Sequence, residues 1–210
     1  MKQFLLADDH HIVRTGLNLI IKDEFSNAEI DECGNGDCVW KKIQHKAYDL
    51  VILDITMPAM DSPRLLKNIF TLRPEQKVMV FTMSPVAAYA KQYLAMGVKG
   101  FINKEAEPAE VRLAIVTILN NRRYVGSNMM HLLTEEETGN KTGTPFNNLS
   151  IRELEIMNLL VEGKNVTDIA AMLFLHISTV STHKANIMSK LNVSSVVELS
   201  KLVQLFRNEL

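Results

Sequence analysis

Cysteine is nearly absent from this 210-residue chain, which holds only Cys33 and Cys38. Two cysteines cannot build a disulfide framework, and without a second pair they cannot complete a zinc site. A reducing compartment, and so a cytoplasmic protein, is the simpler expectation. No apolar run is long enough to cross a bilayer. The segment Lys2–Ala7 is too short for a signal peptide and ends at Asp8-Asp9, so no signal peptide is expected. Neither sign of charge dominates. The 23 basic and 24 acidic side chains leave a net −1, which gives no global attraction to nucleic acid or membrane. Gly34-Asn35-Gly36 is a turn signal, but it lacks the later glycines of a dinucleotide-binding loop. What remains, 47% hydrophobic and 22% charged residues, is ordinary for a globular protein of one large domain or two small ones.

The most informative stretch is Tyr48–Pro58. Leu50-Val51-Ile52-Leu53 is an unbroken apolar run, as in a strand buried on both faces of a parallel sheet. Asp54 ends the run, and Pro58 prevents the strand from continuing. Around it, short apolar strands alternate with helical patterns. Phe4–Ala7 leads to Asp8-Asp9, and a helix follows through Ile12, Val13, Leu17, Ile20 and Ile21. Ala28–Cys33 reads as a strand, Cys38–His45 as a short helix. Ser62-Pro63 reads as an N-cap with proline at the first helical position. Val78–Thr82 is a fourth strand, Pro85 opens a helix, Gly100–Lys104 is a fifth strand and Pro108 opens the next helix. Strict alternation predicts an α/β domain over residues 1–121, a five-stranded parallel sheet covered on both faces.

In the strand order 2-1-3-4-5 the polar strand ends Asp8-Asp9, Asp54, Thr82 and Lys104 converge on one crevice. Carboxylates brought together repel one another and call for a cation, and oxygen-only donors favour Mg²⁺. A hydroxyl and an ammonium beside it make a pocket for a tetrahedral oxyanion. The chemistry this suggests is phosphoryl transfer onto Asp54. Singly, each residue has an ordinary structural explanation: Thr82 as a good strand residue, Lys104 as a solvated strand end, Phe101 as core. His10 and His11 fall at a helix start without a further paired ligand, which argues against a transition-metal site.

Residues 1–121 resemble the receiver domain of a bacterial two-component response regulator. The segments Ala7–Leu17 and Gly97–Ala106 are similar to those of the NarL/FixJ subfamily. The resemblance implies a flavodoxin-like fold in which Asp54 is the phosphoacceptor. It also implies that Asp8, Asp9, Asp54 and the backbone carbonyl of Thr56 hold Mg²⁺. Thr82 is then the switch hydroxyl, Phe101 the switch aromatic and Lys104 the phosphate-binding lysine. Ala59 and Ser62 stand where such receivers usually carry glycine.

Thr134–Asn148 holds Glu, Thr, Gly, Asn and Pro with only Phe146 as a large apolar residue, the composition of a flexible tether. Residues 122–148 are therefore expected to be a linker, with Met129–Leu133 as one more short helix. From Leu149 the pattern is all helical. Ser150 with Glu153 forms a capping box, Gly163 ends that helix, Val166–Leu173 is short, and Ser178 opens another through Leu191. A last helix spans about Ser195–Phe206.

Residues 149–210 resemble a LuxR-type helix-turn-helix domain of four helices. The resemblance rests on Leu149–Glu155, Thr167–Ala170, Ile177–His183 and Ile187–Val193. It implies a recognition helix over Ser178–Leu191. Ser181, Thr182, Lys184 and Ala185 would face the groove, Thr167, Thr179, His183 and Lys190 would contact phosphates, and Ser178 at the helix start is a further DNA-binding candidate. Six basic and six acidic side chains in this part leave it neutral, so DNA binding is expected to need a dimer.

The resulting expectation is a response-regulator transcription factor, not an enzyme. A partner histidine kinase would phosphorylate it, and phosphorylation would control dimerisation and binding to promoter DNA. One alternative is a phosphorylation-independent DNA-binding regulator with a vestigial receiver, against which the complete acid set argues. Another is a Mg²⁺-dependent aspartyl phosphohydrolase. Such haloacid-dehalogenase-like enzymes carry a second aspartate two residues after the first, where this chain has Thr56.

Overall fold

A computed structural model of the chain describes residues 1–58, 60–83, 87–126 and 145–207. The chain divides into two compact units, Met1–Leu133 and Thr134–Leu210. In the first, strands β1 (Gln3–Ala7), β2 (Glu29–Cys33), β3 (Leu50–Leu53), β4 (Val78–Thr82), β5 (Gly100–Asn103) and β6 (Tyr124–Val125) form one parallel sheet in the order 2-1-3-4-5-6. The five expected strands are there. The short β6 was not expected: two residues carry no readable period, and it exists because Tyr124 and Gly126 donate backbone N–H groups to the edge of β5.

The helices are α1 (His11–Glu24), α2 (Gly36–His45), α3 (Ser62–Leu72), α4 (Ala87–Ala95) and α5 (Pro108–Leu119). All four residues of β3 are buried, as its continuous apolar run requires. The core on one side joins Phe4, Leu6, Leu50, Ile52, Met79 and Ile102 to Leu17 and Ile21 of α1 and to Val111, Ile115 and Ile118 of α5. Gly100 lets α5 approach β5. A Cβ at that position would run into the side chain of Ile118.

Three local expectations are corrected. The N-cap of α3 is Asp61, whose side chain accepts the N–H of Arg64, and Ser62 is already helical. The Ser62 hydroxyl is turned inward instead, 2.7 Å from the hydroxyl of Tyr93. Helix α2 begins earlier than Cys38, because Asn35 caps it by accepting the N–H of Cys38. Finally, Cys33 and Cys38, read from the sequence as too few for a disulfide framework, are joined to each other. The end of a strand turns directly into the first turn of a helix here, bringing their Cα atoms to 5.5 Å.

The second unit contains α6 (Ile151–Val161), α7 (Val166–Leu173), α8 (Ile177–Leu191) and α9 (Val196–Arg207). Its core holds Leu154, Ile156, Met157 and Leu160 of α6, Ile169 of α7, Val180 and Ile187 of α8, and Leu199 and Val203 of α9. Pro145–Asn148, assigned to the linker from its composition, forms a 3-10 turn that buries Phe146 and lies against α8. The proposed helix at Met129–Leu133, the helix start at Pro85 and the departure at Ala59 lie outside the described residues.

Candidate functional site: an acidic rim and a recognition helix

Parallel pairing sets the rim. Ala7 of β1 is in register with Leu53 of β3, so the next residues, Asp8 and Asp54, emerge side by side. The backbone N–H of Asp54 donates to the carbonyl of Ala7 at 2.8 Å, which fixes that alignment. Thr82 of β4 is in register with Asn103 of β5, and the N–H of Lys104 donates to the Thr82 carbonyl. Asp8, Asp54 and Thr82 are all buried.

The Lys104 ammonium lies 2.7 Å from an Asp8 carboxylate oxygen and 2.7 Å from one of Asp54. Its side chain is only 7% exposed, so solvent screens these contacts weakly. Burial by itself pushes the ammonium pKa down. Hydrogen bonds to Asp54 and Asp8 outweigh that, and the pKa ends above the ordinary lysine range. The other oxygen of Asp54 accepts the backbone N–H of Thr56 at 2.9 Å and its hydroxyl at 2.8 Å.

The sequence-predicted acids do come together: ligand atoms of Asp8, Asp9, His10 and Asp54 all lie within 4.8 Å of one another. Carboxylate oxygens dominate this set, the donor chemistry of a hard divalent cation. His10 was not among the expected ligands. In the structure its Nδ1 is 2.9 Å from Asp9 and 3.3 Å from Asp8. Arg14 was also unforeseen. It donates to the Asp8 carbonyl at 2.7 Å and pairs with Glu32 at 2.8 Å, bracing the end of β1 from behind. Its partners, a backbone carbonyl and a glutamate on β2, leave no pattern in the sequence that could have signalled it. Phe101 is fully buried, with its ring 6.2 Å from that of Tyr93.

In the second unit, α7 ends at Phe174, whose left-handed backbone (φ 53°) makes the turn into α8. Of the candidates for DNA contact, Thr167 on α7 and Ser178, Ser181, Thr182, Ala185 and Lys190 on α8 are exposed. Thr179, His183 and Lys184 are half-buried. Ser178, Ser181, Thr182 and Ala185 recur at helical spacing and form one outward stripe. Asn186 is exposed on the same stripe and was missed, although its position four residues after Thr182 was readable. Thr182 returns its hydroxyl to the Ser178 carbonyl at 3.0 Å. The Nδ1 atom of His183 is buried without a hydrogen-bond partner.

Lys190 sits elsewhere in the energetics than its candidacy for phosphate contact implied. Its ammonium lies 2.6 Å from Glu153. The same Glu153 oxygen accepts the N–H and hydroxyl of Ser150, completing the capping box of α6. Burial of Glu153 alone would raise its pKa. Lys190 and Ser150 overcome this and hold it below the usual glutamate range.

Comparison with known proteins agrees with this architecture. Residues 4–116 match the response regulator receiver domain, and residues 147–203 match the bacterial regulatory proteins of the luxR family. Over 204 residues the chain is 32% identical to the oxygen regulatory protein NreC of Staphylococcus carnosus, and 33% identical to that of Staphylococcus haemolyticus; each alignment covers 94% of both chains. A structure of RcsB from Salmonella enterica serovar Typhimurium, bound to promoter P1flhDC in the presence of phosphomimetic BeF3⁻, matches with a TM-score of 0.73. The identity is 25%, over 96% of this chain and 97% of that one. A LuxR-family two-component response regulator from Aurantimonas sp. SI85-9A1 matches with a TM-score of 0.61 and 26% identity, over 66% of this chain and 99% of that one. A receiver sheet with its acids at one rim, followed by a helix-turn-helix unit, places this chain among the NarL-type response regulators, transcription factors governed by phosphorylation.

Proposed function

We propose that Asp54 is the phosphoacceptor of this regulator and that a partner histidine kinase supplies the phosphoryl group. The observation that carries this reading is the Lys104 ammonium, held between Asp8 and Asp54 at 2.7 Å from each. An Asp54 oxygen attacks phosphorus in line, the P–N bond to the kinase's phosphohistidine breaks, the imidazole departs, and an acyl phosphate remains. Lys104 then turns from the bare carboxylate to the new phosphoryl oxygens. Thr82 donates its hydroxyl to the same group, and Phe101 follows into the space Thr82 leaves. Asp8, Asp9, Asp54 and the Thr56 carbonyl would hold Mg²⁺, which when bound offsets the charge gathering on the transferred group.

Receiver function falls to residues 1–121 and DNA binding to residues 149–210, with 122–148 between them. Phosphorylation favours a homodimer, whose paired α8 helices read two half-sites of promoter DNA. The RcsB complexes, solved on promoter DNA with a phosphomimetic, support this order of events for the present chain. The protein acts in the cytoplasm as a regulator and does not turn over phosphate esters. Among the described residues no helix is long and apolar enough to cross a membrane.

The test is acetyl phosphate treatment of wild type and Asp54→Asn, read on a phosphate-affinity gel and by sedimentation, with promoter binding measured in parallel. Wild type should shift, dimerise and bind its promoter about tenfold more tightly. Asp54→Asn should do none of these. Equal dimerisation and affinity in the two proteins would end this reading.

A further inference from the structure

Cys33 closes β2 and Cys38 lies in the first turn of α2, so their bond closes a small ring through Gly34, Asn35, Gly36 and Asp37. That ring abuts the acidic rim on two sides. On one, the carbonyl of Cys33 accepts the backbone N–H of Asp8 at 3.0 Å. On the other, Gly36 lies so close to Met60 that a Cβ there would come 2.7 Å from its Cγ. Met60 is buried in the loop that leaves Asp54. The ring therefore supports both the strand end that carries Asp8-Asp9 and the segment that follows Asp54. Cys33 is 2% exposed, whereas Cys38 is half-buried, so a reagent from solvent meets the Cys38 sulfur first.

We propose that Cys33 and Cys38 are a reversible thiol–disulfide modification site that tunes the acidic rim. The inference rests on the reading of that rim as a metal-assisted phosphoacceptor site. Oxidation proceeds by exchange with a low-molecular-weight disulfide. The Cys38 sulfur attacks one sulfur of that reagent and releases one small thiol, leaving a mixed disulfide. The Cys33 sulfur then displaces the second small thiol and forms the Cys33–Cys38 bond. Both cysteines are oxidised, the reagent is reduced, and the two protons leave on the two released thiols. With the bond formed, the Cα separation of 5.5 Å lies within the ordinary range for a disulfide. Opening it frees a loop with glycines at 34 and 36, the residues that gain most backbone freedom. The Cys33 carbonyl and the Met60 contact then hold the rim less firmly, and the reduced protein binds the cation less tightly.

The experiment uses the full chain equilibrated in glutathione buffers of graded redox ratio. Thiol state is read by alkylation and mass spectrometry. Mg²⁺ alone is then titrated into each form by calorimetry, and Asp54 phosphorylation by acetyl phosphate is timed. The disulfide should form and reopen reversibly, and the reduced form should bind Mg²⁺ at least about threefold more weakly, with slower phosphorylation. Cys38→Ser, which changes only the half-buried partner, should behave as the reduced form in every buffer. Cysteines that stay alkylatable across the whole range, or equal Mg²⁺ affinity in the two forms, overturn the proposal. Should Asp54 resist phosphorylation in both forms while their Mg²⁺ affinities still differ, the phosphoacceptor reading falls and the redox effect on the rim stands.

Discussion

Lys104 carries one positive charge between two carboxylates, and removing it leaves Asp8 and Asp54 facing each other. Lys104→Met should therefore destabilise the metal-free first unit by about 2–4 kcal/mol in thermal or urea unfolding. It should also tighten Mg²⁺ binding, because the cation no longer displaces an ammonium; weaker Mg²⁺ binding in calorimetry would contradict this. Since folding raises the Lys104 pKa, its contribution is complete below the ordinary lysine range and is lost as pH climbs through the raised value. Glu153 has the opposite sign. Its lowered pKa gives stability that is complete above the ordinary glutamate range and disappears as pH falls toward the folded value. Glu153→Ala removes both the cap and the partner of Lys190 and should cost the second unit about 2–3 kcal/mol at neutral pH. The cost should shrink on acidification, as equilibrium unfolding at several pH values would report. Both charge pairs join residues far apart in sequence. Lys104 and Asp54 could be matched in advance only because each ends a strand, and Lys190, on an outward-looking helix, gave no hint of Glu153.

Elements were legible where their apolar period was long or their punctuation strong. The buried run of β3 and the Ser150–Glu153 box gave a strand and a helix start without ambiguity. The start of α3 was misjudged because Asp61 and Ser62 are both good caps. Burial of Ser62 against Tyr93 decided between them, and burial is a tertiary fact. The Cys33–Cys38 bond was missed for a similar reason: counting cysteines says nothing about two that a strand-to-helix turn brings together. Close approach of α5 to β5 makes its own demand. Gly100→Ala should destabilise the first unit by about 1–3 kcal/mol, since the added methyl meets Ile118 and Met79. Unchanged unfolding midpoints would show that α5 can move aside. On α8, Asn186→Ala should weaken binding to a specific promoter while leaving non-specific affinity nearly unchanged, the behaviour of a base contact. Equal losses on specific and random duplexes would instead make it a backbone contact.

Across the whole molecule the charge is nearly balanced, at a net −1. Counterion release then contributes little to one DNA-binding unit, and specificity must come from the outward stripe and from pairing of two copies. Promoter occupancy should rise steeply with protein concentration, and the salt dependence of binding should be shallow for a protein of this class. Binding isotherms at several salt and protein concentrations would check both.

Glu153 gathers the start of α6 and the end of α8 onto one carboxylate oxygen. Mount and reading surface are thereby separated: the fastening lies at the far end of the helix, and the letters it reads lie along its outer side. A lineage could rewrite positions 181, 182, 185 and 186 to suit a new operator without disturbing the mount on which they are carried.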